Sequence, residues 1–247
     1  MFDFADMMLI TLVFLVAGAV KGVIGLGLPT VSLALLSITL DLTTAMALML
    51  APSFFTNLWQ AAGPGGAIRI FFQLWPFYLL ATAFILLGAG VLTVLDSGAL
   101  ISLLGVVLVC YAVLQLAGVS FRIKPAHMTV SGALMGALNG LLTGMTGSFV
   151  VPGVPYLQAA IKDRDEFIQA MGILFTLSTV GLGLALGRQE LLDSRTGLVS
   201  VLALVPAAAG MLAGQAIRGR LPVALFRRVF FVSLLVLGAY MILRNIP

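Results

Sequence analysis

Two stretches of this sequence could do chemistry. The first reads Gly18-Ala-Val-Lys21-Gly22-Val-Ile-Gly25-Leu-Gly27-Leu-Pro29. The second reads Gly136-Ala-Leu-Asn139-Gly140-Leu-Leu-Thr143-Gly144-Met-Thr146-Gly147-Ser148, with Pro152 beyond. Glycine permits unwinding and close backbone approach, and proline removes an amide donor and stops a helix. If these stretches interrupt helices inside a membrane, each restarting helix directs free N–H groups and a positive dipole end into the gap. Such a gap suits an anion. Tight helix packing through small residues is the other reading of the same glycines, although two symmetric copies favour a site.

Lys21 is the only charged residue well inside an apolar block. An ionisable group at membrane depth costs about 2.5–3.5 kcal/mol on insertion scales and points to function by default. It either faces the gap or snorkels its ammonium to a membrane edge. Its counterpart in the second stretch is Asn139, also polar, and Thr143, Thr146 and Ser148 add hydroxyl donors. Ser53, Asn57 and Gln60 lie on one helical face with Thr56 beside them. Such a stripe faces protein or water, either as a site or as interhelical hydrogen bonding. The residues expected to bind substrate are Lys21, Gly22, Gly25, Gly27, Asn57, Asn139, Thr143, Gly144, Thr146, Gly147 and Ser148.

The elements that must position them are set by composition. The 247 residues are 61% apolar and only 9% charged. Ordinary soluble domains are about 25% charged. A soluble enzyme and a nucleic-acid reader are excluded, and the chain reads as all-α and polytopic in a lipid bilayer. Charges and turns cut it into blocks at about 7–40, 42–62, 70–94, 97–119, 126–160, 167–187, 196–217 and 223–243. Six are expected to be simple spans. The first and fifth are too long for one pass and carry the glycine stretches. The start, MFDFADMM, lacks the positive charge of a cleaved signal peptide and reads as the lip of a first span. Cys110 is expected to be a packed small hydrophobe, and Trp59 and Trp75 to be packing or interface anchors. His127 is placed near a membrane edge.

The two glycine stretches match at an offset of 118 residues, and the features after them follow in the same order. A single transmembrane domain, 1–247, built from repeats at about 5–120 and 125–245, accounts for this. Charge then selects a topology. If each long block crossed once, the two loop sides would carry six Lys or Arg each. If each enters, breaks and returns, the split is nine to three, as the positive-inside rule requires. Each half then holds a broken, hairpin-like helix plus three transmembrane helices and ends opposite its start. The second half is inverted. Inverted repeats with broken helices are an architecture of secondary transporters, with the two breaks expected to meet near the midplane.

All nine carboxylates fall in loops or at block ends, so no buried acid serves as a proton relay. There is no HExxH, no P-loop pattern and no metal-ligand set. The expectation is of no enzyme activity, no cofactor, no metal and no nucleic-acid partner.

With these residues in view, the paired stretches at 18–29 and 136–152 resemble the glycine-rich signatures of the TauE/SafE sulfite exporter family. The duplicated, fully hydrophobic plan is similar across the whole chain. The resemblance implies a bacterial inner-membrane transporter of sulfur-containing anions: sulfite, thiosulfate, sulfoacetate or related sulfonates and carboxylates. Two other readings stay open, a cation-coupled or metal-ion carrier and a non-transporting scaffold or assembly subunit. Assembly into a homo-oligomer is also open.

The nine-to-three split generates a topology prediction. Both termini should lie in the periplasm. Arg69, Arg122, Lys124, the run at 162–166 and Arg218 to Arg228 should lie in the cytoplasm. Labelling of single cysteines from either side checks this, and labelling of Arg69 and Asp96 positions from the same side would contradict it.

Overall fold

The computed structural model describes residues 2–119, 123 and 127–245. Arg122 and Lys124, which entered the charge count, lie outside the described residues. Eleven α-helices follow one another, with no strand among the described residues: α1 (Phe4–Ile24), α2 (Leu28–Leu36), α3 (Leu42–Ala61), α4 (Ala67–Gln73), α5 (Trp75–Ala89), α6 (Ser97–Leu116), α7 (Met128–Thr146), α8 (Gly153–Ala160), α9 (Arg164–Arg188), α10 (Ser194–Arg218) and α11 (Val223–Arg244). Six spans are long and apolar enough to cross a membrane alone among the described residues: α1, α5 with its 3-10 extension to Thr93, α6, α9, α10 and α11. Their outer faces carry exposed Leu, Val and Phe, as lipid contact requires. Trp75 is exposed among them, and Trp59 is exposed on α3.

Carboxylates mark helix starts. Asp3 forms a capping box with Asp6 on α1. Asp163 accepts from the Asp165 and Glu166 amides to open α9. Asp193 accepts from the Thr196 hydroxyl and from the Arg195 and Thr196 amides to open α10. These bonds, the Thr196 hydroxyl first, hold the Asp193 carboxyl below its ordinary range. The cap is therefore intact at neutral pH and is lost only as acid titrates through that lowered value.

The chain divides into two compact units that do not follow the two halves of the sequence. The first comprises residues 1–52, 97–116 and 191–247, and the second 53–96 and 117–190.

In the first unit α1 lies on α10. A Cβ on Gly18 would overlap the Ala207 carbonyl oxygen, and one on Gly22 the Met211 carbonyl. From the other side, Gly210 and Gly214 sit on the Leu15 and Ala19 carbonyls. Beside this pair, α6 packs on α11 with Gly105 against Gly238. Ser200 of α10 donates to the Leu48 carbonyl at 2.8 Å and accepts from the Ala51 amide at 3.1 Å. The Arg244 guanidinium reaches the Ile38 carbonyl at 2.9 Å.

The second unit repeats the device with different helices. Gly136, Gly140 and Gly144 of α7 bring its backbone onto the Phe77, Ala81 and Ile85 carbonyls of α5. Gly88 returns the contact at Leu141. A glycine inside a helix costs about 1 kcal/mol relative to alanine, and the close approach offsets that cost. The sequence places the second interruption within the stretch 136–148; the structure narrows it, because α7 runs unbroken through Gly140, Thr143 and Gly144 to Thr146.

Both long blocks do turn back. Tyr156 of α8 donates to the Met128 carbonyl at 3.2 Å, so α8 runs back along α7 to its start. In the first unit α2 likewise runs back along α1, with Val31 and Leu35 lining one groove with Val20 and Val16.

Two more expectations are corrected. Block 70–94 holds one span, but that span begins only at Trp75: the helix breaks at Leu74, because Pro76 in the first turn of α5 has no amide to continue it. Cys110 is not packed inside but exposed on α6. A small apolar side chain incurs no penalty on a lipid-facing surface.

Packing therefore separates the glycines by task. Gly18→Ala should lower the melting temperature of the purified protein in detergent, at a cost of about 1–3 kcal/mol for overpacking against the Ala207 carbonyl. Gly197→Ala in α10, where a Cβ meets open space, should be neutral or stabilising by up to about 1 kcal/mol. Equal effects of the two substitutions in thermal melts would contradict this division.

Candidate functional site

The break in the first unit is three residues long. Gly25 ends α1 in the left-handed region, φ 87°, and its amide donates to the Lys21 carbonyl at 2.7 Å. Gly27, φ 109°, precedes α2 without any side-chain cap. Both conformations favour glycine strongly. Pro29 sits in the first turn of α2, so the amides of Leu28 and Thr30 are left without intrahelical acceptors, and Val31 closes the turn onto the Gly27 carbonyl at 2.7 Å. The surroundings are buried, yet a Cβ on Gly25 would meet nothing within 4 Å. Open space therefore adjoins the backbone at this position.

Lys21 lies in the last turn of α1 and is only 4% exposed. A snorkelling lysine shows its ammonium at the protein surface, and this one does not. The carbonyl end of α1 is a favourable place for a cation. Gly22, by contrast, is taken up by the contact with α10.

The break in the second unit is longer and more polar. Gly147 ends α7 at φ 72°, its amide on the Thr143 carbonyl at 2.7 Å. Residues 148–150 are in no helix or strand, and α8 starts at Gly153. Side chains of α7 hold this segment. The Thr143 hydroxyl donates to the Ser148 carbonyl at 3.0 Å. The Thr146 hydroxyl donates to the Leu142 carbonyl at 2.6 Å and accepts from the Ser148 amide at 3.2 Å. Asn139 Oδ1 accepts from the Gly153 amide at 2.9 Å, capping α8 from across the hairpin. A Cβ on Gly153 would come within 2.6 Å of that oxygen, so any larger residue there would push Asn139 out of this cap.

Asn139 Nδ2 and Ser148 Oγ at this break are buried with no hydrogen-bond partner among the described residues, as is Ser178 Oγ on α9. Helix α9 packs beside this break one turn before Ser178. Leu174 of α9 approaches Gly153, and the Phe175 ring lies 5.9 Å from that of Phe149. A buried polar group left unmatched costs about 1–3 kcal/mol, so these groups have hydrogen-bonding capacity to offer a ligand. Asn139 Nδ2 is a pure donor, and the two hydroxyls can each donate. Together these groups can donate to a ligand rich in oxygen.

The α3 stripe faces protein, with Ser53, Thr56 and Asn57 all buried. Gln60 serves packing, its Nε2 donating to the Ile168 carbonyl at 2.8 Å. Gln169 was missed in the sequence reading. It is buried and donates to the carbonyls of Ala61, at 2.7 Å, and Gly63, tying the end of α3 to α9. Nothing in its sequence neighbourhood, beside the charged run at 162–166, distinguishes it. Ser178 could have been weighed more heavily, since it stands in a small-polar stretch within an apolar block. The Arg69–Glu166 ion pair fixes α4 to the start of α9.

The structure thus gathers Lys21, Gly22, Gly25 and Gly27 in the first unit. It gathers Asn139, Thr143, Gly144, Thr146, Gly147 and Ser148 along one hairpin of the second, where Asn57 also belongs. No cluster of three or more His, Cys, Asp or Glu able to hold a metal occurs among the described residues.

No curated protein and no solved structure matches the chain. The family model described as sulfite exporter TauE/SafE matches residues 10–241. That range takes in both breaks and both glycine-packed helix pairs. It is a family of membrane transporters of sulfite-type anions, and the six apolar spans make this chain a multi-pass membrane protein, consistent with a bacterial inner membrane. The chain belongs to the TauE/SafE sulfite exporter family.

Proposed function

We propose that the protein moves small sulfur-containing anions across the bacterial inner membrane by alternating access, with sulfite, thiosulfate, sulfoacetate and related sulfonates or carboxylates as the substrate class. The observation that carries this reading is the set of buried, unmatched donors at the second break, Asn139 Nδ2 and Ser148 Oγ first among them. An oxyanion leaving water must exchange its hydration for hydrogen bonds. At the first break, the anion meets the open space at Gly25, the α2 amides beyond Gly27, and the positive charge of Lys21. Thr143, Thr146, Gly144 and Gly147 hold the second break in shape, and Asn57 adds a buried amide from α3. Charge-assisted hydrogen bonds of this kind are about twice as strong as neutral ones.

The inverted-repeat plan is part of the proposal. What supports it is that Gly18 and Gly22 meet the carbonyls of Ala207 and Met211 in the same four-residue step by which Gly136 and Gly140 meet those of Phe77 and Ala81. The scaffold reading has an observation of its own, because those four glycines are all occupied by helix packing. Ligand binding separates the two.

Sulfite, thiosulfate or sulfoacetate should raise the melting temperature of the purified protein in detergent. Lys21→Gln should lower anion affinity roughly 10- to 100-fold while insertion and fold persist. Ser148→Ala should weaken binding by a similar order and leave the anion-free melting temperature unchanged or higher, because its hydroxyl has no partner among the described residues to lose. Absence of stabilisation by every anion in the panel would favour the scaffold. Unchanged affinity in Lys21→Gln would leave binding to the backbone and hydroxyls alone.

A further inference from the structure

At one end of the α6–α11 pair, in the first unit, lies a recess of about 430 Å³ lined by Gln115, Leu116, Ala224, Arg227, Arg228, Phe231 and Val232. Its rim is basic and its floor apolar. The Arg227 guanidinium is held in place: it donates to Gln115 Oε1 across the helix pair at 2.6 Å, and its carbon lies 5.7 Å from the centroid of the Phe231 ring. A guanidinium has five N–H donors and Gln115 takes one of them. Arg228 is exposed beside it.

The charge here is unbalanced in three ways. No Asp or Glu occurs in α6 or anywhere from Ser194 to the end of the sequence, while Arg218, Arg220, Arg227 and Arg228 cluster around the turn into α11. Helix α11 opens on Pro222 with no side-chain cap and no acidic residue in its first turn. The amides of Val223, Ala224 and Leu225 therefore lack intrahelical acceptors and add a positive dipole end to the arginines. Cations at a helix start repel that end, an arrangement that an external anion relieves.

Position identifies the anion. Gln115 and Leu116 end one membrane span, and Arg227 and Arg228 lie in the first two turns of another, so the recess sits at the level where spans leave the hydrocarbon. Below the arginines, α11 presents exposed Val229, Val232 and Val236 in succession. A ligand with a negative head and an apolar tail matches both parts. We propose that this recess binds the phosphate headgroup of an anionic membrane phospholipid, with an acyl chain along the valines of α11. Basic pockets between transmembrane helices recognise lipid headgroups by this chemistry. The inference stands apart from the substrate reading, since no residue of either break lines the recess.

The test uses full-length protein, delipidated in mild detergent and titrated with phosphatidylglycerol, phosphatidylcholine or inorganic phosphate. Bound lipid is counted by native mass spectrometry and stability is followed by thermal melting. Wild type should bind phosphatidylglycerol about 30-fold more tightly than the Arg227→Gln/Arg228→Gln double variant. Phosphatidylcholine should bind both proteins equally, and millimolar phosphate should shift neither. If the double variant does not fold, Arg228→Gln alone, at an exposed position, should lose about 5-fold. Arg195→Gln, at the start of α10, should leave lipid binding unchanged. Equal phosphatidylglycerol affinity in wild type and the arginine variants would overturn the proposal. Stabilisation by inorganic phosphate alone would overturn the lipid assignment and make the recess a free-anion site.

Discussion

Hydrocarbon offers no hydrogen bonds, so every backbone amide and carbonyl at membrane depth must find a partner within the protein. A chain that interrupts two of its helices there has to answer for each freed group. At the second break the answer comes from α7 itself: Asn139, Thr143 and Thr146 tie down Gly153 and Ser148. At the first break the side chains give no such cap, and the amides of Leu28 and Thr30 have no intrahelical acceptor. One break is thus stitched by side chains and the other left with backbone donors.

The glycines divide the labour needed to keep such interruptions from unravelling. Gly18, Gly22, Gly136, Gly140 and Gly144 bring whole helices into backbone contact upstream of each break. Dispersion and close carbonyl packing hold these helices where no hydrophobic driving force separates helix from lipid. Gly25, Gly27 and Gly147 do the turning, in left-handed conformations. A rigid pair of helices ending in a short, well-defined interruption is a sound way to hold a small ion without fixing it permanently.

Much of this was legible in the sequence, and the failures have physical causes. Membrane class, the two long blocks and their return followed from composition, length and the Gly/Pro signals at 25–29 and 147–152. The start of the second break did not, because whether Gly140 unwinds or packs depends on α5, whose Phe77 and Ala81 are distant in sequence. The same holds for Asn139. Its type predicted polarity at the break, but only the fold reveals an oxygen used as a helix cap and a nitrogen left over. Burial of Lys21 could not be read from its place beside a glycine. Gln169 and the exposed face of Cys110 left no periodic signal, since α9 and α6 are apolar on nearly every side.

The central claim is that donors gathered at two helix breaks carry an oxyanion across the membrane. It is tested most directly by flux of radiolabelled sulfite, thiosulfate and sulfoacetate into proteoliposomes containing the purified protein. The account predicts saturable flux of at least one of these anions above that of protein-free liposomes, lowered strongly by Lys21→Gln and by Ser148→Ala. Flux no greater than in protein-free liposomes for the whole panel, from protein that is folded and inserted, would contradict it.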